Sequence, residues 1–500
     1  MDKRFVLTDC ANPNYLCTVC KIGEMFPIEG ADRLVKTVIN GYDIVIPKTH
    51  KEGDIVLYFP VESSICEQYL SANNLYELSL ADKNANFELV RNIINDAESL
   101  INPNKGTEVT DADRNNYDML MVNAKSMCGF FNKHGRVRIL KLRGQYSQGF
   151  VADVSTIVNM DPTLANVDWE SMVGCQFNMV GDIEFCKKYI PATSMRRDNS
   201  GGGGQSLWKK RMKKLKRFNR IREDQFAYHY DTKQLAEHIG QLNPDDVVSI
   251  TVKVHGTSAI FANVLCNRKL TLWEKIKQFF GVDVPLYEYD NVYSSRSVIK
   301  NQYINPNANS YYSTDIWGCV NSVFSPFIEE GITVYGEIVG YLEGSDKMIQ
   351  KNHDYGCKPG EWKFMPYRIT ETDKYGNKIE WDIDKVDEWT RNLVTDNPEI
   401  ADKVMFLNIL YYGRLGDLYP DLDTETHWHS NLLARMKADK DKFLMEMNEP
   451  LCKNKVPREG IVIRKVGDPL ARAWKLKCQN HYARECKEND EGVVNIEDIS

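Results

Sequence analysis

The residues with the clearest chemical potential lie in Thr251-Val252-Lys253-Val254-His255-Gly256-Thr257-Ser258. Lys253 sits inside an apolar, β-prone run with Val248, Ile250, Val252 and Val254. The pattern predicts a buried strand that ends near Lys253 and turns tightly at Gly256. Burial disfavours a charged ammonium, and a neutral amine has a lone pair with which to attack an electrophile. The plain alternative is a strand lysine whose head reaches solvent along its alkyl stem.

Lys253-x-His255-Gly256-Thr257-Ser258 resembles a nucleotidyl-transfer motif, and the resemblance implies a lysine that acts on a nucleoside triphosphate and needs partners. Attack on the α-phosphorus expels pyrophosphate, so cations and a divalent metal must offset the charge on the phosphate oxygens. The base needs an aromatic or apolar slot, and the ribose needs hydrogen-bond acceptors. Segments similar to the later motifs of the same superfamily follow in order, and each has residues that could meet one of these needs. Ser294-Ser295-Arg296-Ser297 offers a guanidinium for a phosphate or ribose. Val334-Tyr335-Gly336-Glu337-Ile338 offers a strand carboxylate beside a glycine that permits close approach. Phe364-Met365-Pro366-Tyr367-Arg368-Ile369 offers two rings, Phe364 and Tyr367, either of which could stack on a base. In Arg458-Glu459-Gly460-Ile461-Val462-Ile463-Arg464, Glu459 precedes a buried β-run and could bind Mg²⁺. In Ala473-Trp474-Lys475-Leu476-Lys477, strand alternation puts Lys475 and Lys477 on one face. Those two cations would neutralise an α-phosphate and help depress the pKa of Lys253. Singly, each segment is more often structural; together and in this order they form a constellation.

Lys253-x-His255-Gly256-Thr257-Ser258 resembles nucleotidyl-transfer motif I of RNA ligases, where DNA ligases and capping enzymes usually carry Asp at the place of His255. The later segments are similar to motifs III, IIIa, IV and V of that superfamily, and the whole resembles the ATP-dependent RNA ligase 5 family. The resemblance implies that Lys253 becomes covalently bound to AMP. It implies a nucleotide site of His255, Gly256, Arg296, Glu337, Phe364 or Tyr367, Lys475 and Lys477, and a Mg²⁺ or Mn²⁺ site at Glu459 and Glu337. The implied reaction joins 3′-hydroxyl and 5′-phosphate RNA ends through lysyl-AMP and adenylylated RNA, as in sealing nicks during RNA repair. The alternatives are a DNA ligase or an mRNA capping guanylyltransferase, or a catalytically silent nucleic-acid-binding protein.

These residues need a multidomain α+β framework. Residues 1–192 are expected to form a strand-rich first domain. Asn40-Gly41 is a strong hairpin signal between Leu34 and Ile46. Short strands at this spacing predict a small barrel, with an OB-fold one candidate. Pro27–Arg33 and Glu52–Phe59 are also similar to the N-terminal OB domain of the RNA ligase 5 family. Residues 65–133 are polar and helix-tolerant, and read as an insertion. The β-pattern resumes at 136–143, where Arg136, Arg138, Lys141 and Arg143 fall partly on shared faces. A cationic face beside Tyr146 suits a nucleic-acid backbone, though an edge strand guarded by charge has the same composition.

Residues 193–222 read as a linker. Gly201–Gly204 is flexible by composition. The run after it carries Lys209, Lys210, Arg211, Lys213, Lys214 and Arg220, a phosphate-attracting arm, an import signal or a solubilising tether. Residues 223–487 are the expected nucleotidyltransferase domain, of the ATP-grasp-like ligase type that the resemblance implies. A helix capped by Asp231 or Thr232 precedes the Lys253 strand, and residues 383–450 read as a mostly helical insertion. An acidic tail occupies 488–500.

The net charge of −7 excludes a uniformly basic nucleic-acid coat, so any such surface is local. No apolar run approaches the roughly 18 residues that span a bilayer, and no membrane partner is expected. The thirteen cysteines are scattered, which fits free thiols in a reducing, cytoplasmic compartment. Cys17-x-x-Cys20 has zinc-like spacing but no second pair follows it. A monomer that takes ATP, a divalent cation and RNA is the expectation.

Overall fold

The computed structural model describes residues 2–9, 12–102, 109–190, 218–230, 232–305, 312, 314–468 and 472–490. The chain divides into two compact units, Met1–Ile190 and Pro191–Ser500, and both mix helices with strands. The expected linker residues Gly201–Gly204, Lys209, Lys210, Arg211, Lys213 and Lys214 lie outside the described residues, as does Asp231. Arg220 belongs to the fold instead of the arm: its guanidinium reaches Asp290 at 2.5 Å and Glu288 at 2.7 Å.

In the first unit, Asn40-Gly41 turns a hairpin between Leu34–Ile39 and Tyr42–Pro47. Both turn residues have positive φ, 50° and 77°, as a two-residue turn of this hand requires. A four-stranded sheet runs in the order Phe150–Asp153, Ile55–Phe59, Cys17–Lys21, Gln176–Phe177. Its apolar face joins Val19, Leu57, Phe59, Phe177 and Phe185 in one core. Among the described residues the strands of this unit form separate ladders and do not close into a barrel. Residues 136–139 make an isolated bridge, Ser64 to Arg136, and only Leu140–Leu142 is a strand. The insertion is helical, with helices Glu67–Ala72, Phe87–Leu100 and Asp111–Ser126. Cys17 and Cys20 are buried in one strand, and every described cysteine is a free thiol. No described helix is long and apolar enough to cross a membrane.

The second unit is built on two five-stranded sheets. The first runs Tyr287–Ser294, Thr257–Asn267, Ile332–Gly340, Trp362–Thr372, Lys378–Glu380. Helices Ile316–Phe324 and Ile383–Asp396 cover one of its faces, burying Trp317, Phe324, Val386 and Leu393 against Phe261, Val334 and Phe364. The second runs Lys233–Gln234, Ala473–Lys477, Gly460–Lys465, Val247–Lys253, Ile409–Arg414. Residues 383–450 therefore depart from the expected helical insertion. Helices Ile383–Asp396 and Trp428–Ala438 form, but Ile409–Arg414 is an edge strand paired with the Lys253 strand. Its β-branched and aromatic residues, Ile409, Tyr411 and Tyr412, are the reason it pairs.

Candidate functional site

Strand register sets the site. Lys253 lies opposite Gly460, and Gly460 lies opposite Lys477. Neighbouring strands are about 4.8 Å apart, so the two lysines flank a residue with no side chain. Gly460 is required there, because a Cβ on it would sit 2.1 Å from the Leu476 carbonyl oxygen. Glu459 fills the space beside it. Its Oε1 is 2.7 Å from Lys253 Nζ and 3.2 Å from Lys477 Nζ. Glu459 is buried, and burial pushes its pKa up, but Lys253 and Lys477 outweigh that and hold it well below the usual carboxylate range.

The expectation for Lys253 named only cations around it; the structure adds an ionised carboxylate, Glu459, whose charge acts on the amine in the opposite sense to Lys475 and Lys477. The segment that delivers Glu459 is pinned at the preceding residue. Arg458 pairs with Glu449 at 3.0 Å, both buried, and donates to the Phe443 carbonyl at 3.2 Å. The Glu459 carbonyl accepts the Cys478 N–H at 2.9 Å.

The turn after Lys253 is held atom by atom. The His255 N–H donates to the Tyr355 hydroxyl at 2.8 Å, and the Gly256 N–H to Glu337 Oε1 at 3.2 Å. Gln350 Nε2 donates to the Gly256 carbonyl at 2.6 Å. A Cβ at 256 would lie 2.3 Å from the Ile338 carbonyl oxygen, so only glycine fits. Glu337 is thereby set beside the turn, on the strand next to the one carrying Tyr367.

The two candidate rings part company. Phe364 is 1 % exposed and packs among Phe261, Phe324 and Gly336, so its ring is core. The register slips between Tyr335 and Gly336, which leaves Tyr367 unopposed. The half-buried Tyr367 has its hydroxyl 3.2 Å from His229 Nδ1, and burial and then the charge of Glu337 push its pKa up. Tyr367 is the ring beside Glu337. Arg296 is half-buried in the bend after Tyr287–Ser294. Lys475 shares a half-buried face with Lys477, while Trp474 and Leu476 are buried on the other, as alternation requires.

Behind Glu459 is a cluster that sequence reading missed in part. Ligand atoms of His255, Glu459, His481 and Glu485 all lie within 4.8 Å of one another, and Glu337 is not in this set. His255 Nδ1 is 3.7 Å from Glu459 Oε2, and His481 Nε2 is 3.4 Å from Glu485 Oε1. His481 is 1 % exposed; its Nδ1 makes no hydrogen bond, and its Nε2 has only the 3.4 Å approach to Glu485. Lys477 Nζ stands 3.1 Å from both Glu485 oxygens, and it holds that carboxyl well below its usual range against the upward push of burial. The His255 ring also meets His353 edge-on at 4.8 Å. The available signal was His481-x-x-x-Glu485, a spacing that puts both side chains on one face of helix Gln479–Asp490.

The proposed cationic strand of the first unit needs correcting. The Arg136 side chain is fully buried, with Nε and Nη2 on the Glu62 oxygens at 3.0 and 2.5 Å and Tyr189 stacked 4.9 Å away. It holds the fold and cannot touch RNA. Arg138 is half-buried and donates to the Phe130 carbonyl at 3.0 Å. Lys141 and Arg143 are exposed; Lys141 lies 5.0 Å over Tyr146, and Arg143 turns the hairpin at φ 48°.

No family model and no curated protein matches this sequence. Among solved structures the chain is similar to variants of the Naegleria gruberi RNA ligase. A complex of one variant with ATP and manganese matches at TM-score 0.48 and 18 % identity, over 95 % of this chain and 99 % of that one. A variant with AMP and manganese matches at TM-score 0.47 and 18 % identity, over 94 % and 98 %. An apo variant matches at TM-score 0.47 and 18 % identity, also over 94 % and 98 %.

Proposed function

We propose that this chain is an ATP-dependent RNA ligase working through lysyl-AMP. The observation that carries the reading is the Lys253–Gly460–Lys477 register with Glu459 seated between the amines. Lys253 Nζ loses a proton and attacks the α-phosphorus of ATP; a P–N bond forms and the bond to pyrophosphate breaks. An oxygen of an RNA 5′-phosphate then displaces the lysine and takes the AMP. A 3′-hydroxyl attacks that 5′-phosphate, AMP leaves, and a 3′–5′ phosphodiester remains. All three steps are phosphoryl or nucleotidyl transfers, so one pocket serves them. Lys475, Lys477 and Arg296 bind phosphate oxygens, Glu337 the ribose hydroxyls, and Tyr367 stacks on adenine. The N-terminal unit helps grip the polynucleotide, most simply as a nicked duplex.

The ionised Glu459 and the hydrogen-bond-poor His481 fit a divalent cation. Glu459 would hold it, with His255, His481 and Glu485 at hand and Glu337 on the ribose side. Mixed imidazole and carboxylate donors suit manganese better than magnesium. When bound, such an ion supplies charge to offset the phosphate oxygens. With Glu459 engaged in that way, its charge would no longer favour the protonated form of Lys253, and the amine would lose its proton more readily.

The test is label transfer from ATP tagged at the α-phosphate. Wild-type protein should acquire one acid-labile, base-stable adduct, and Lys253→Ala should acquire none. Label surviving in Lys253→Ala overturns the assignment. Offering the adenylylated protein nicked duplexes with RNA or DNA at the 3′-hydroxyl side then reads strand preference.

A further inference from the structure

Antiparallel neighbours can be joined by a two-residue turn. Strands Thr257–Asn267 and Tyr287–Ser294 are such neighbours, with Asn267 opposite Tyr287, yet the chain between them makes a helical excursion, Leu272–Phe279. The base of the excursion is tied. The Arg268 N–H donates to the Leu286 carbonyl at 2.8 Å, and Arg268 Nη1 to the Pro285 carbonyl at 3.0 Å. The helix start is closed by a reciprocal cap between Thr271 and Glu274, and Arg268 pairs with Glu274. The helix has no buried residue, and elsewhere in the excursion only Val284 is buried.

Its apolar residues are the large ones. Leu272 is 76 % exposed, Trp273 73 %, Phe279 85 % and Phe280 76 %, with Ile276, Val282 and Leu286 also exposed. At about 100° per residue, Leu272, Trp273, Ile276, Phe279 and Phe280 fall within one arc of about 120°. Lys275 and Lys277 then lie about 40° beyond either edge of that arc, and Glu274 and Gln278 lie away from it. Both lysines are exposed, as is Lys269 at the base, and the one helix carboxylate is already paired with Arg268.

An apolar face of Trp, Phe, Leu and Ile bordered on both sides by lysines is the arrangement of a helix lying in a membrane interface. The rings enter the headgroup–acyl boundary while lysine stems carry their charges back to the phosphates. A single-stranded nucleic acid would use the rings and cations, but Leu272, Ile276, Val282 and Leu286 offer no π-face to stack on. We infer that Leu272–Phe280 is a docking face for an anionic lipid surface, on which the protein lies without spanning it. The inference does not depend on the ligase reading.

The test is flotation of the nuclease-treated full chain with phosphatidylcholine vesicles, with and without phosphatidylserine. Wild type should float with the phosphatidylserine vesicles and keep a measurable bound fraction at about 0.5 M salt, where charge alone is screened. Phe279→Asp with Phe280→Asp should cut flotation ~10-fold or more at an unchanged melting temperature. Lys275→Glu with Lys277→Glu should erase the preference for the anionic vesicles. A chain lacking 209–216 should float like wild type. The inference is overturned if wild type does not float, if the Asp pair floats as well as wild type, or if flotation vanishes with the basic segment. It is equally overturned if the Asp pair leaves flotation intact and abolishes RNA binding or a concentration-dependent dimer instead.

Discussion

At the scale of single residues, the site is a balance of charge around Glu459. Two ammoniums share its Oε1, so removing one changes both the phosphate pocket and the partner of the other. Lys477→Ala should lower the rate of adenylylation by ~10²–10³-fold, the range for losing one preorganised charge from a reacting phosphate, with the fold intact. Circular dichroism and the label-transfer rate measure both. A second residue reports on pH. Burial, then the charges of His255, Arg484 and His481, push the pKa of His353 down to about 2. The unfolded chain takes up a proton near pH 6.5 that the folded chain refuses. The stability that His353 contributes is therefore whole above about 6.5 and is lost as pH falls toward the folded value. Between pH 7.5 and 5.5 the loss should be about 1 kcal/mol in urea titrations, and His353→Gln should flatten it. Lys253, Glu459 and Lys477 were legible in the sequence because motif order and β-alternation are local signals. The pairing of Lys253 with Glu459 was not, since it depends on how far Glu459 reaches across a glycine in a neighbouring strand.

At the scale of elements, the same limit separates the basic residues of the first unit that are buried from those on its surface. Arg136 and Lys141 look alike in an alternating basic run, but one closes a buried ion pair with Glu62 and the other lies on a hairpin surface. Arg136→Ala should destabilise the first unit by about 3–5 kcal/mol, the cost of leaving a paired charge without its partner. Lys141→Ala should leave stability unchanged and reduce the salt slope of RNA binding by roughly one. Thermal melts and binding isotherms at several salt concentrations separate the two. The Asn40-Gly41 hairpin was legible because two positive φ values demand those residue types. Strand Ile409–Arg414 was missed because its partner, the Lys253 strand, is distant in sequence and its neighbours are helical.

At the scale of the whole chain, the basic run at 209–220 carries a prediction of its own. Removing residues 209–216 while keeping Phe218 and Arg220 should weaken RNA binding and flatten its salt dependence, with self-adenylylation unchanged. The boundary matters because Arg220 clamps Asp290 and Glu288 within the second unit. An unchanged salt slope would make the segment a tether. The mixed α+β class and the presence of more than one domain were readable from pattern and length. Barrel closure was not, because it turns on which short strands find partners far along the chain.

The ion pair at Lys253 has a practical consequence for covalent probes. Aldehydes, activated esters and sulfonyl fluorides react with free amines and pass over protonated ones. In the unliganded protein the carboxylate beside Lys253 should therefore slow its labelling in a lysine-profiling experiment. Labelling should speed up if manganese draws Glu459 away from the amine, and profiles taken with and without the ion read the difference.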